Sequence, residues 1–137
     1  MSDVAAAVRA AAAARTPLPY PAVRLVDGAG DHLPRLVVER FGDAFWVRGA
    51  PDRAADLPAV LAGLDDPAQV FWRFGHAERG GPAGDDGARV VAEGPLQFHV
   101  HLGENRNPGL FLDGREARAW VRAHSADRAV LNLFAYT

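Results

Sequence analysis

The chain has 137 residues, 49% of them hydrophobic, with no cysteine and with arginine as its only strongly basic residue. That length suits one compact domain, or a small domain plus the start of another. The missing cysteines exclude disulfides, thiolate metal sites and cysteine nucleophiles. The missing lysines exclude Schiff-base and P-loop lysines, and a net charge of −2 confines any nucleic-acid surface to a local patch.

In chain order, Asp3 is placed to cap an alanine-rich helix over 4–15, whose shallow apolar face predicts weak docking. Thr16 to Pro21 holds three prolines and reads as an extended linker. Val23 to Val26 is a short apolar run, followed by loop chemistry at Asp27 to Asp31. Leu36–Phe41 and Ala44–Arg48 flank Gly42-Asp43, the clearest hairpin in the chain. Leu57, Val60, Leu61 and Leu64 share one helical face, and Asp65-Asp66-Pro67 stops that helix. Val70–Phe74 is a strand, and Arg79 to Gly87 is a flexible loop. Arg89–Val91 is a short strand, and Leu96–Leu102 alternates as a half-buried one. Glu116–His124 is a helix with Ala117, Trp120, Val121 and His124 on one face. Val130–Phe134 is a strongly apolar strand.

No apolar run approaches the roughly 20 residues of a membrane helix. The N-terminus lacks a basic leader and an apolar h-region, so no secretory signal is expected and a cytoplasmic location is.

Few residues carry obvious chemistry. His99 and His101 fall on the same side of one strand and would need further ligands to hold zinc; no third ligand has a defensible spacing, so no metal is expected. His32, His76 and His124 are isolated. The two serines, Ser2 and Ser125, sit in no nucleophile elbow. Asp65-Asp66 and Asp85-Asp86 read as turn residues. Arg106, Arg115, Arg118, Arg122 and Arg128 cluster near the C-terminus and could meet phosphates, although acidic residues are interleaved with them.

The informative region starts at Gly103. Pro108-Gly109-Leu110-Phe111-Leu112-Asp113-Gly114-Arg115-Glu116-Ala117-Arg118 sets a buried Leu-Phe-Leu beside an Asp/Arg pair, with Asp113 as the expected cap of a helix. Val130-Leu131-Asn132-Leu133-Phe134-Ala135-Tyr136-Thr137 is an apolar strand with a small/aromatic/hydroxyl tip. In open α/β folds ligands bind at such strand ends.

These two segments resemble the class I methyltransferases related to the ribosomal RNA large-subunit cytosine-C5 methyltransferases. That family shows a "TGxFLDxRxxR"-like stretch, a helix, then "VLNLFAYTGGF". The upstream "RLVxGxxDxLPGLVVDRFGD" pattern is matched from Arg24 to Asp43, with Arg35 where glycine is usual and Glu39 for aspartate. The resemblance implies S-adenosylmethionine as cofactor and RNA, most naturally ribosomal, as substrate. It implies that Phe111, Asp113 and Arg115 line the cofactor-pocket entrance. It also implies that Asn132, Phe134, Ala135 and Tyr136 belong to the first cofactor-binding motif. The RNA-binding PUA module that opens many members has no counterpart here.

The expected architecture is α+β. An N-terminal helix and linker (1–21) precede a strand-strand-helix-strand-strand domain (22–103), and 104–137 begins a Rossmann-like methyltransferase domain. The family's glycines after Thr137, its acidic ribose ligand, its "NPP"-type motif and its cysteine nucleophile have no match in this chain. The chain is therefore expected to be an N-terminal fragment, inactive by itself, with a homodimer or a completing chain joining through the terminal strand. The alternative reading is a non-enzymatic RNA-binding or dimerising module.

Overall fold

The computed structural model describes residues 3–67 and 69–133. Helix α1 (Val4–Arg15) is capped as expected: the Asp3 carboxylate accepts from the Ala6 amide at 3.1 Å. At its other end Thr16 Oγ1 donates to the Ala12 carbonyl at 2.8 Å, before the prolines stop it.

Five strands follow in one sheet: β1 (Ala22–Asp27), β2 (Leu36–Phe41), β3 (Ala44–Gly49), β4 (Val70–Phe74) and β5 (Glu78–Gly80). Their spatial order is their chain order. The Gly42-Asp43 turn closes the β2–β3 hairpin in the register Phe41↔Ala44. The β3–β4 pair alone is parallel, because α2 (Leu57–Gly63), entered by a 3-10 turn over Pro51–Asp56, carries the chain back across the sheet. A separate antiparallel ribbon is formed by β6 (Ala88–Glu93) and β7 (Leu96–His101). A 3-10 turn over Leu112–Gly114 then leads into α3 (Arg115–His124).

Strand alternation divides the interior into two cores. Val23, Leu25, Leu36, Val38, Phe45, Val47, Val70 and Phe74 point toward α1 and α2, where Val8 and Val60 meet them. Ala22, Phe41, Ala44, Trp46 and Phe71 point the other way and are covered by Val91, Val100, Leu102, Leu110 and Leu112. The ribbon thus roofs one end of the second sheet face. Its fit is close, since a Cβ at Gly103 (φ +81°), just past β7, would fall 3.2 Å from Phe71 Cδ1 on β4.

The mixed α+β class is as expected, but four local readings are corrected. Helix α1 does not dock weakly. Val8 is fully buried, and Arg15 Nη1 donates to the Leu25 carbonyl and to Asp31, both at 2.9 Å. Small side chains allow that approach, and the arginine anchors it. The strand order is fuller than strand-strand-helix-strand-strand. The run Val23–Val26 is a paired edge strand, β5 runs into the start of the stretch read as loop (Arg79 to Gly87), and Arg89–Val91 and Leu96–Leu102 pair only with each other. Asp113 is not the helix cap: it lies within the 3-10 turn, and the cap position falls on Gly114. Finally, residues 130–133 of the expected strand Val130–Phe134 have no strand pairing. A strand needs a neighbour for its amides and carbonyls, and no described strand lies beside it. Phe134 is outside the described residues.

Candidate functional site

The segment between ribbon and α3 is held at both ends and turned outward in the middle. Asn107 Oδ1 accepts from the Gly109 amide at 3.0 Å, closing a tight turn. Leu110 and Leu112 are buried in the second core, so the alternating Phe111 between them is 49% exposed. The Phe111 carbonyl accepts from Arg118 Nη1 at 2.8 Å.

Beneath this segment lies a two-arginine clasp. Glu93, at the end of β6, accepts from Arg118 Nε at 2.7 Å and Nη2 at 2.6 Å in a fork. Arg115 Nε lies 3.4 Å from the same carboxylate. The Arg118 hydrogen bond draws the Glu93 carboxyl below its usual range, more than burial raises it. The Arg115 guanidinium also donates to the Ala22 carbonyl and stacks 3.8 Å from the Tyr20 ring centroid. The clasp therefore ties α3 to the ribbon and to the start of β1.

The expected cofactor residues divide accordingly. Phe111 and Asp113 face solvent, and no described residue forms an ion pair with Asp113. Asn132 is exposed. Arg115 is turned inward onto Glu93 and Ala22. Phe134, Ala135 and Tyr136 lie outside the described residues. S-adenosylmethionine carries a sulfonium, an ammonium and an adenine ring. A half-exposed aromatic side chain and a carboxylate with no ion pair among the described residues suit those groups, so Phe111 and Asp113 fit it. Arg115 fits a positioning role in which it fixes the segment that carries them. His99 and His101 are exposed on β7, and among the described residues no cluster of three or more potential ligands could hold a metal. None of the described helices is long and apolar enough to cross a membrane.

Residues 83–137 match the family model for S-adenosylmethionine-dependent methyltransferases. The chain is related to those enzymes. A ribosomal RNA large subunit methyltransferase K/L from Dichelobacter nodosus is 38% identical over 123 residues, covering 74% of this chain and 17% of that protein. A ribosomal RNA large subunit methyltransferase I from Klebsiella pneumoniae is 28% identical over 129 residues, covering 83% and 32%. Among solved structures, a protein from Streptococcus mutans assigned to the SAM-dependent methyltransferases superposes with a TM-score of 0.75 at 16% identity, over 90% of this chain and 36% of that one. The chain thus spans about a third or less of the relatives it matches, and the structural likeness shows a shared fold.

Sequence reasoning missed one assembly. At the far end of the second sheet face, beyond the ribbon, a cleft of about 510 Å³ is lined by Arg35, Arg48, Arg73, His76 and Arg106. The expected C-terminal arginine cluster does not form a common surface. Arg115 and Arg118 serve the clasp, Arg122 and Arg128 are exposed on or beyond α3, and Arg106 alone joins the cleft. The readable signal was strand parity. Arg48 and Arg73 fall on the same face as Trp46 and Phe71, two residues further along their strands.

Proposed function

We propose that this chain supplies the substrate-side domain and the opening segment of the cofactor domain of an S-adenosylmethionine-dependent methyltransferase acting on ribosomal RNA. The observation that carries this is the family match over 83–137, which begins in the loop before the ribbon and runs through Phe111, Asp113 and Arg115. The names of the relatives support RNA as the methyl acceptor. The order of the three segments, at Arg24–Asp43, Pro108–Arg118 and Val130–Thr137, supports it independently.

In this reading Phe111 and Asp113 meet the cofactor, and Arg115 with Arg118 holds their segment against the ribbon. Asn132, Phe134, Ala135 and Tyr136 would follow in the first cofactor-binding motif. Cytosine C5 is the acceptor atom implied by the resemblance. A chain without cysteine does not itself supply the thiol nucleophile of that chemistry, so such a thiol would have to come from elsewhere in the protein.

The test is transfer of a labelled methyl group from S-adenosylmethionine to deproteinised large-subunit ribosomal RNA, using the protein as its gene encodes it. Nuclease-sensitive label is the expected result, reduced by Asp113→Asn. Label that appears in protein or small molecules but never in RNA overturns the reading.

A further inference from the structure

The second sheet face has two halves of opposite character. One half is apolar and lies under the ribbon. The other carries Arg24, Val37, Glu39, Arg48 and Arg73 on adjacent strands, and there the cleft opens. Arg48 and Arg73 are direct register partners on β3 and β4, a placement of like charges that destabilises a sheet.

The acids present do not cancel this charge. Glu39 accepts from Arg48 Nη2 at 2.7 Å but is shared with Arg24 at 3.0 Å. Arg35 pairs with Asp52 at the exposed rim. Arg73 donates to three carbonyls, those of Gly75 (3.2 Å), His76 (3.0 Å) and Glu104 (2.9 Å). Carbonyls fix its plane and leave its charge intact. Arg48 Nε is buried without a hydrogen-bond partner. Arg106 is exposed, while its carbonyl accepts from Arg48 Nη1 at 3.1 Å. Among the described residues no acidic side chain lines the cleft. Arg35 reaches it from a backbone at φ +63°, a left-handed conformation that disfavours a residue bearing a side chain. Pre-oriented guanidinium groups spread along a groove match phosphates strung on a backbone.

We infer that the cleft formed by Arg35, Arg48, Arg73 and Arg106 binds the phosphodiester backbone of the RNA substrate, positioning it without reading its sequence. This rests on the reading of RNA as substrate. The site is separate from the Phe111–Asp113 segment and lies on the part of the sheet the ribbon leaves open.

The test is fluorescence anisotropy of the full chain with a labelled structured RNA across a salt series. Four phosphate contacts predict a log–log salt slope of about −3 to −4. Arg106→Glu sits in a loop with an exposed side chain and leaves its carbonyl in place. It should weaken binding about tenfold and flatten the slope by about one. Arg73→Gln should do the same, with Arg73→Lys recovering part of the loss. Arg9→Ala, on α1 across the sheet, should bind as the parent does. RNA binding that is equal in the parent, Arg106→Glu and Arg73→Gln overturns the cleft while leaving RNA as substrate. A parent that binds no RNA at low salt overturns the cleft too, and methyl transfer to RNA then judges the substrate reading separately. Inorganic phosphate competing as strongly as RNA would make the cleft a small-anion pocket and also overturn the inference.

Discussion

Arg48 and Arg73 stand in register on the two parallel strands of the sheet, and the two guanidinium groups differ in whether a carboxylate reaches them. A buried carboxylate, Glu39, holds the first. Backbone carbonyls hold the second. A sheet that needed only stability would set an apolar or acidic residue beside Arg48, because like charges on neighbouring strands cost a fraction of a kcal/mol or more. The arrangement keeps positive charge where the chain can present it.

Glu39 is what makes the arrangement tolerable. Its side chain is 3% exposed and joins Arg24 on β1 to Arg48 on β3 across β2. Glu39→Ala would leave Arg48 without a carboxylate and Arg24 with Asp27 alone, a loss of about 1–3 kcal/mol, since both guanidinium groups keep some contact with water. Chemical denaturation should show a midpoint shifted far below the parent's. An unchanged midpoint would mean that water screens this face fully.

Arg35 sets stability against binding. Glycine adopts φ +63° freely, so Arg35→Gly removes a backbone cost of about 1 kcal/mol. It gives up only the exposed ion pair with Asp52, worth well under about 1 kcal/mol. The variant should melt no lower than the parent, yet bind RNA more weakly and with a flatter salt dependence. A clear loss of stability would show that the ion pair outweighs the backbone term.

Much of the local structure was legible in the sequence because it depends on local chemistry. The Asp3 cap, the Gly42-Asp43 hairpin and the Val70–Phe74 strand need only neighbouring residues. What stayed hidden depends on partners distant in the chain. Val23–Val26 is a strand because β2 lies beside it, and Val130–Leu133 is not paired because nothing described lies beside it. In the candidate site, the motif nominated Phe111 and Asp113, and the structure turns both outward. Arg115 shared that motif, but Glu93 and the Ala22 carbonyl claim it, 22 and 93 positions away. The cleft was legible only in part: strand parity sets Arg48 and Arg73 on one face, but that β3 and β4 are neighbours and that the loops of Arg35 and Arg106 meet them there depends on contacts distant in the chain.

Helix docking turns on one glycine. A Cβ at Gly63 would fall 2.6 Å from the Ala5 carbonyl oxygen and 2.8 Å from Val8 Cβ, so α1 and α2 touch backbone to side chain there. Gly63→Val should cost about 1–3 kcal/mol through overpacking, expelling α1 or shifting it. Gly63→Ala should be milder. Amide hydrogen exchange over 4–15 should accelerate in both. If exchange there matches the parent's, α1 does not depend on this contact.

The Glu93 clasp gives the molecule an acid-side weakness with a definite sign. The Arg118 fork lowers the Glu93 carboxyl below its ordinary value of 4.5. Between that value and the lower folded-state one, the unfolded chain binds more protons than the folded chain, so stability rises with pH there. The clasp's contribution is fully present above about pH 4.5 and is lost as pH falls through the depressed folded value. Glu93→Gln should therefore be less stable than the parent near neutrality, with the gap narrowing below about pH 4.5. Asp85 is also held low, at about 2, by its hydrogen bond from Arg89, but it is common to both proteins and cancels in their difference. A gap that stays constant from neutrality into acid would show that Glu93 holds α3 by shape rather than by charge. In that case Arg118→Met should be tolerated as well as Glu93→Gln.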